Sequence, residues 1–340
     1  MKNNVSLITG ALLIAAAAGS YAQTAVTDPV GYVTMPVAGG GSTASPSRSY
    51  IGATLVNKIE YSGVVTAVAG TTISFAAGSF TAGAFNADAA NGNLYYAEIG
   101  SGANQGAWTD IVSNTTSSLV TSDNISSLVA VGNTVKIRKH HTVSSVFGAT
   151  NSSGFAAGID VSTADELQFL DASTQQATTV FFSTDDLNPG WVTVAGNPAA
   201  NMIIPPGVGV KVSRKSAAAL PIVQVGHVKT GPTWLPVESG INVITIPLAT
   251  GTTFDLANLS PPATLAGGID ISAADEVGLL SSGAFVNNFF STDDLNPGWV
   301  TAAGNAAGTT ALPEGTAIRI LRKGTGTATN WKAPLQPIAP

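Results

Sequence analysis

The chain has 340 residues, a formal net charge of −6 and no cysteine; 10% of its side chains are charged and 44% hydrophobic. Without thiols it has neither a disulfide framework nor a thiol nucleophile, and mild acidity without a basic face argues against a nucleic-acid partner. A nearly neutral surface rich in Gly, Ala, Ser, Thr and Asn suits lateral packing or matrix residence better than life as a dilute cytosolic enzyme.

In chain order, Met1 to Ala22 reads as a secretory signal peptide. Lys2 supplies the positive end, Val5 to Ala18 the apolar run, and Ser20-Tyr21-Ala22 the small residues before a cut. A membrane anchor is the rival reading, but the run is shorter than the ~20 residues that span a bilayer. No later segment is long and apolar enough, so no transmembrane segment is expected after cleavage. The protein is expected to be exported, as a secreted, periplasmic or cell-surface component.

Residues 23–141 are expected to form an N-terminal antiparallel β domain. Apolar residues alternate at period two along Gly31 to Val37, Tyr61 to Phe75 (a hairpin turning at Ala69-Gly70), Leu94 to Ile99, Trp108 to Val112, Ser118 to Thr121 and Val131 to Lys139. Two homologous β units, sandwich- or barrel-like, follow at 142–219 and 253–325, joined by a Pro-richer segment, 220–252. Their mark is Phe181-Phe182-Ser183-Thr184-Asp185-Asp186-Leu187-Asn188-Pro189-Gly190-Trp191-Val192-Thr193, which returns unchanged from Phe289 to Thr301. Thr142 to Phe147 and Thr253 to Leu259 each suit one helical turn with Thr as N-cap. Ser162 to Asp165 and Ser272 to Asp275 have the spacing of a capping box, and Ser281-Ser282-Gly283 that of a tight hairpin turn. Within the connecting segment, Ile241 to Leu248 resembles Gly31 to Val37 and is expected to open the second half. Residues 326–340 are expected to be an extended Pro-rich tail. The fold class is therefore all-β with few short helical turns.

Three strands carry a basic end: Gly132 to Lys139, Gly207 to Lys215 and Gly315 to Lys323. Lys136, Arg138, Lys211, Arg214, Arg319 and Arg322 are accordingly candidates for binding anions or acidic glycans. The plainer reading is that alternate positions face inward while the basic ones keep the outer face soluble and block edge pairing. A third is that they pair with acids at matching places in the two units: Asp160, Asp165, Glu166, Asp185, Asp186 and Asp270, Asp275, Glu276, Asp293, Asp294.

The Asp-Asp-Leu-Asn-Pro-Gly turns offer hard oxygen ligands, so Asp185, Asp186, Asn188, Asp293, Asp294 and Asn296 are candidate calcium ligands, the one cofactor considered. Their spacing is not that of an EF-hand, and a type II turn with Pro and Gly at its centre explains the same residues. Trp191 and Trp299 are candidates for stacking on a sugar; the preferred reading makes them anchors of a small core. Phe181-Phe182 and Phe289-Phe290 each send one ring outward, to be covered by a neighbouring unit or chain. His140, His141 and His227 are the only histidines, and no nucleophile elbow, zinc-protease motif or phosphate loop is present. No catalytic residue is assigned. The chain is expected not to be an enzyme; a carboxylate-pair hydrolase is the distant alternative.

Thr27 to Val33, Tyr95-Tyr96-Ala97-Glu98-Ile99-Gly100-Ser101-Gly102, Val135-Lys136-Ile137-Arg138-Lys139-His140 and the Ala-Asp-Glu and Pro-x-Gly segments together resemble a family of signal-peptide-bearing secreted proteins from verrucomicrobial bacteria. The resemblance covers most of the chain after the leader. It implies export and a β-rich fold and carries no activity, cofactor or catalytic residue. The expected function is that of an exported structural or self-associating envelope protein, its partners other copies of itself or envelope glycans. A glycan- or anion-binding surface module is the alternative, and a secreted hydrolase the second.

Overall fold

The computed structural model describes residues 28–259, 264–324 and 328–334. The expected signal peptide and the chain from Leu335 onward lie outside the described residues. The fold is all-β and antiparallel, with no closed barrel among the described residues.

Strands β1 (Val30–Val37) and β2 (Ser47–Ile51) come first. Next are β3 (Ile59–Val64), β4 (Ala67–Ala69), β5 (Thr72–Ser74), β6 (Tyr95–Ile99), β7 (Trp108–Asn114), β8 (Ser118–Thr121) and β9 (Thr134–Lys139). A second group holds β10 (His141–Thr142), the helical turn α1 (Val143–Phe147), β11 (Glu166–Asp171), β12 (Gln176–Ser183), β13 (Gly190–Thr193), β14 (Ile203–Ile204), β15 (Val210–Arg214) and β16 (Leu220–His227). A third holds β17 (Thr233–Val237), β18 (Gly240–Thr245), β19 (Thr252–Thr253), β20 (Glu276–Ser281), β21 (Ala284–Ser291), β22 (Gly298–Thr301), β23 (Ala311–Leu312), β24 (Ala317–Arg322) and β25 (Thr329–Ala333).

The two larger bodies have matching topologies. One five-stranded sheet runs β13-β12-β11-β15-β2 and the other β22-β21-β20-β24-β18. Each is accompanied by a long two-stranded ribbon, β1-β16 or β17-β25, and a short one, β10-β14 or β19-β23. The sheets pack with their ribbons around separate cores, one holding Met35, Ile51, Phe147, Leu167, Val212 and Trp191 and the other Leu235, Ile244, Phe254, Val277, Trp299 and Trp331. β1 shows the driving pattern: Val33, Met35 and Val37 are buried while Tyr32, Thr34 and Pro36 between them are exposed.

This pairing redraws the boundaries expected from the sequence. β1 and β2 pair with β16 and β15, so they belong to the first body and not to an N-terminal domain. What remains of that domain, β3 to β9, is a seven-stranded sheet with its own core of Phe75, Phe80, Ile111, Val135 and Ile137, inserted between β2 and β10. The second body has only the short stretch from Ile246 to Gly251 at the matching place. Residues 220–252 are not a connector: β16 closes the first body, and β17 and β18 open the second. The strand at Ile241 takes the place of β2, and it is β17, Thr233-Trp234-Leu235-Pro236-Val237, that matches Val33-Thr34-Met35-Pro36-Val37. Residues 329–333 are not a tail but a strand on β17, with Trp331 fully buried.

Local chemistry sets the turns. Thr142 caps α1: its hydroxyl accepts from Ser145 N at 3.2 Å while Ser145 Oγ accepts from Thr142 N at 2.8 Å. Ser282 and Gly283 join β20 to β21 with φ of 48° and 82°, the two positive values a tight hairpin turn requires. Phe181 and Phe289 are covered by their own bodies, against Ala164 and Val192 and against Ala274 and Val300, and not by a neighbour as expected. Phe182 and Phe290 pack edge-on to Trp191 and Trp299.

The two bodies meet through reciprocal contacts. Ile51 bridges Thr316 as Ile244, its counterpart, bridges Val208. Gly52 N donates to Gly315 O at 3.2 Å, and Thr245 N donates to Gly207 O at 2.8 Å. Such i-to-j and j-to-i contacts are the geometry of a twofold interface, here within one chain. The junction leaves no room for a side chain at Gly52, where a Cβ would lie 1.5 Å from Thr245 Oγ1. Gly52→Val is therefore expected to lower stability by about 1–3 kcal/mol, through overpacking; an unchanged urea midpoint would show that the two bodies are not in this contact.

Candidate functional site

The basic strand ends are braces. Arg214 Nη1 reaches Asp165 at 2.5 Å with both side chains buried, and Lys215 N donates to Asp165 at 2.6 Å. Lys215 Nζ pairs with Glu166 at 2.8 Å, as Lys323 Nζ pairs with Glu276 at 2.7 Å in the second body. Asp275 accepts from Lys323 N at 2.8 Å and from Ala266 N at 2.8 Å, as Asp165 accepts from Ala156 N at 2.7 Å. These aspartates are thus tied to the last basic strand and are not the ends of capping boxes. Asp160 and Asp270 hold the turns instead, each accepting from the following Ser backbone at 2.8 Å. Arg322 Nη1 donates to Val237 O at 3.2 Å.

A larger buried network lies where the inserted sheet meets the first body and the link to the second. Arg138 has no solvent exposure. Its Nε donates to Glu98 at 3.0 Å, Nη1 to Asn57 O at 2.7 Å, and Nη2 to Asp28. Lys229 Nζ reaches the other Glu98 oxygen at 3.1 Å and Thr233 Oγ1 at 2.8 Å, and also binds Pro232 O. Thr230 Oγ1 donates to Asp28 at 3.2 Å. Burial acts to raise the Glu98 carboxyl, but the charges of Lys229 and Arg138 outweigh it and hold the group below its ordinary value. Burial lowers the Lys229 ammonium in spite of Glu98, and it drives Tyr96 beside them far upward. The expectation that the basic residues face solvent fails for Arg138 and Arg214.

The histidines flank the same junction. His140 is buried, with Nε2 2.8 Å from Asp110 Oδ1. His141 Nε2 donates to Leu55 O at 2.8 Å, and burial holds its imidazolium below the ordinary range. Buried Nδ1 of His140 and Oγ1 of Thr54 have no hydrogen-bond partner, and both residues line a void of about 30 Å³. That void is water-sized; His140 also borders an open cleft of about 320 Å³ with Lys58, Glu60 and Lys139.

The remaining expected ligands divide. Trp191 and Trp299 are buried at 2% and 3% exposure, so neither presents a ring to a sugar; Trp191 Nε1 donates to Gly148 O at 2.8 Å. Asp185 and Asp293 accept at 3.1 Å from the backbone N of Leu187 and Leu295, which makes them turn-formers. Asn188 N and Asn296 N close the turns onto the Asp185 and Asp293 carbonyls, both at 3.1 Å, and Asp186 and Asp294 stand beside them. No group of three or more His, Asp or Glu side chains in a metal-holding arrangement occurs among the described residues. Lys136 stands on the half-buried face of β9.

Lys211 and Arg319, in corresponding positions, do converge, on a residue the sequence reading passed over. Tyr50 lies opposite Lys211 in register, and Arg48 points to the same face two residues earlier. The Tyr50 ring meets Phe285 of the other body at 5.0 Å, and the Arg319 guanidinium stacks on that Phe at 4.1 Å. A lone Arg48 in a Ser-rich stretch carries no motif, so only the pairing of β2 with β15 reveals it. A cleft of about 690 Å³ runs beside Arg48 and Tyr50, which are among its walls with Ser281, Ser282, Thr310 and Thr316; Lys211 and Arg319 stand behind that end of it. A second, of about 390 Å³, occupies the matching place on the other side of the junction and is walled largely by Phe169, Leu170, Ile203, Pro205 and Leu235.

No protein-family model matches the chain, and no curated protein or solved structure shows significant similarity to it. No helix among the described residues is long and apolar enough to cross a membrane.

The titrations set a pH profile. His141 prefers the neutral form when folded, so its contribution is complete above pH 6.5 and is lost as pH falls below it. Glu98 prefers the charged form when folded, so its contribution is complete above pH 4.5 and is lost below that. Urea midpoints are expected to fall modestly from pH 7.5 to 5.5 and steeply under pH 4.5. Glu98→Gln strips the carboxylate from two buried cations, so a loss of about 3–5 kcal/mol at neutral pH and a shallower acid limb are expected. An acid limb unchanged by that substitution would contradict the network's role.

Proposed function

We propose that the chain is a non-catalytic, self-associating structural protein of an exported surface, built from a duplicated β body with an inserted β domain. The carrying observation is one face of the β1-β16 ribbon. Tyr32, at 76% exposure, lies opposite Val225, at 68%; Val30 at 68% and Val223 at 57% flank them on the same side. A contiguous apolar face of this kind marks an interaction surface. In the matching ribbon, Trp234 is covered by the inserted domain: its Nε1 donates to Gln105 O at 3.1 Å, and Trp108 Nε1 donates to its carbonyl at 3.0 Å. Among the described residues the first ribbon has no such cover, and the occupant proposed is a second copy of this chain. Its neutral, uncharged face suits a partner as poor in charge as this chain.

The disposition of the charged groups supports the non-catalytic part. Asp28, Glu98, Arg138, Asp165, Arg214 and Lys229 are buried and answered by one another. The leader-like first residues and the verrucomicrobial resemblance support export. Sedimentation velocity over a hundredfold concentration range is expected to show association that Tyr32→Glu with Val225→Lys abolishes. A strict monomer throughout, or association untouched by that double change, would overturn the proposal.

A further inference from the structure

Three cations gather around Tyr50. Several other basic groups of the chain are answered by acids: Arg138, Arg214, Lys215, Lys229 and Lys323 pair with carboxylates, although Lys139 meets only the neutral Asn93. Acids outnumber bases by 20 to 14, so a counter-ion is easily supplied. Yet Arg48, Lys211 and Arg319 gather about one tyrosine with no carboxylate in ion-pair contact among the described residues. Lys211 Nζ donates to the neutral Gln168 Oε1 at 2.8 Å, and Glu166 beyond it is taken by Lys215. Arg319 Nη2 donates to the neutral Asn287 Oδ1 at 2.9 Å, while its Nε is buried and unpartnered. Arg48 is exposed.

The fold makes room for this cluster. Position 278, which corresponds to Gln168, is Gly; a Cβ there would lie 2.9 Å from Phe285 and 3.3 Å from Arg319 Nε. Its absence leaves room for the guanidinium over the Phe ring, 4.1 Å from its centroid. The two halves of the cluster come from different bodies, so it exists only because the bodies meet as they do. Burial holds the Lys211 ammonium below its ordinary range, and the like charge of Arg48 adds to this against the weaker pull of Glu166.

We propose that this cluster and the cleft beside it bind an acidic glycan, its carboxylate or sulfate groups meeting Arg48, Lys211 and Arg319. The cleft has the volume of a ligand site, about 690 Å³. Ser281, Ser282, Thr310 and Thr316 offer hydroxyl partners for sugar hydroxyls, and Tyr50 offers a ring edge at the cationic end. A long nucleic acid is a poor fit, because the acidic remainder of the chain repels it beyond the three cations. The matching cleft across the junction has Val243 where Tyr50 stands and Ile241 where Arg48 stands, so one such site is expected per chain. The inference is independent of self-association, and either can fail while the other holds.

Affinity electrophoresis of the full chain in gels containing polygalacturonate, dextran sulfate or uncharged dextran tests it and separates carboxylate from sulfate recognition. Retardation by either acidic polymer, absent in dextran and weakened at least tenfold by Arg48→Glu, is the expected result. Arg48 is exposed, so that change leaves the fold in place, as a thermal melt verifies. Lys58→Glu, at a cation 67% exposed and paired with Glu60, is the charge-matched control. No retardation in either acidic gel, equal retardation in dextran, or equal weakening by Lys58→Glu would overturn the proposal.

Discussion

A guanidinium with no access to water has to be answered by protein, and the groups that answer Arg138 come from separate parts of the chain. Asp28 precedes β1 of the first body, Glu98 lies on β6 of the insert, and the Asn57 carbonyl lies on the irregular segment between β2 and β3 that leads into it. Lys229, which takes the second Glu98 oxygen, belongs to the link between the bodies. Desolvating charges of both signs is expensive, and well-packed apolar groups in their place would often be as stable. What the network provides is specificity: with one partner missing a charge is left buried and unpaired, so only one arrangement of insert, body and link satisfies all four groups. In a chain without disulfides this is how distant segments are held in register.

The same device recurs at smaller scale inside each body. Asp165 ties the turn before β11 to the end of β15, and Asp275 ties the turn before β20 to the end of β24. The two bodies then share edges through reciprocal bridges at Ile51 and Ile244. A chain that carries its own twofold contact has a rigid centre, and the positions where its halves differ become the interesting ones. Tyr50 and Arg48 against Val243 and Ile241 make one side of the junction cationic and the other apolar. Val33 and Thr34 against Thr233 and Trp234 leave one ribbon uncovered among the described residues and the other docked on the insert.

Much of the fold was legible because strand periodicity is local. Val135, Ile137, Val210, Val212, Ile318 and Ile320 alternate with polar neighbours, and the sheets follow them. Pairing is not local, and that is where the reading failed. β2 resembles any short strand, yet its partner β15 comes only after the whole insert, so its allegiance to the first body was invisible. Arg138 alternates with Ile137 and was placed on a wet face; the residues from Lys229 to Thr233 that cover that face belong to a distant loop. The repeated stretch does form a turn, but not where Pro and Gly were expected to centre it: Asn188 N closes onto Asp185 O over Asp186 and Leu187, and Gly190 already opens β13. Arg48 and Tyr50 had no local pattern to announce them. Their significance comes from Phe285 and Arg319 of the other body.

Calorimetry of Arg138→Met beside the unaltered chain tests the central claim most directly. If the buried charges couple the insert to the first body and the link, the unaltered protein melts in one transition and the variant separates into two, with the insert melting apart from the remainder. A variant that still melts in a single transition at the original temperature would contradict the account, because the three segments would then be held together by something other than Arg138 and its partners.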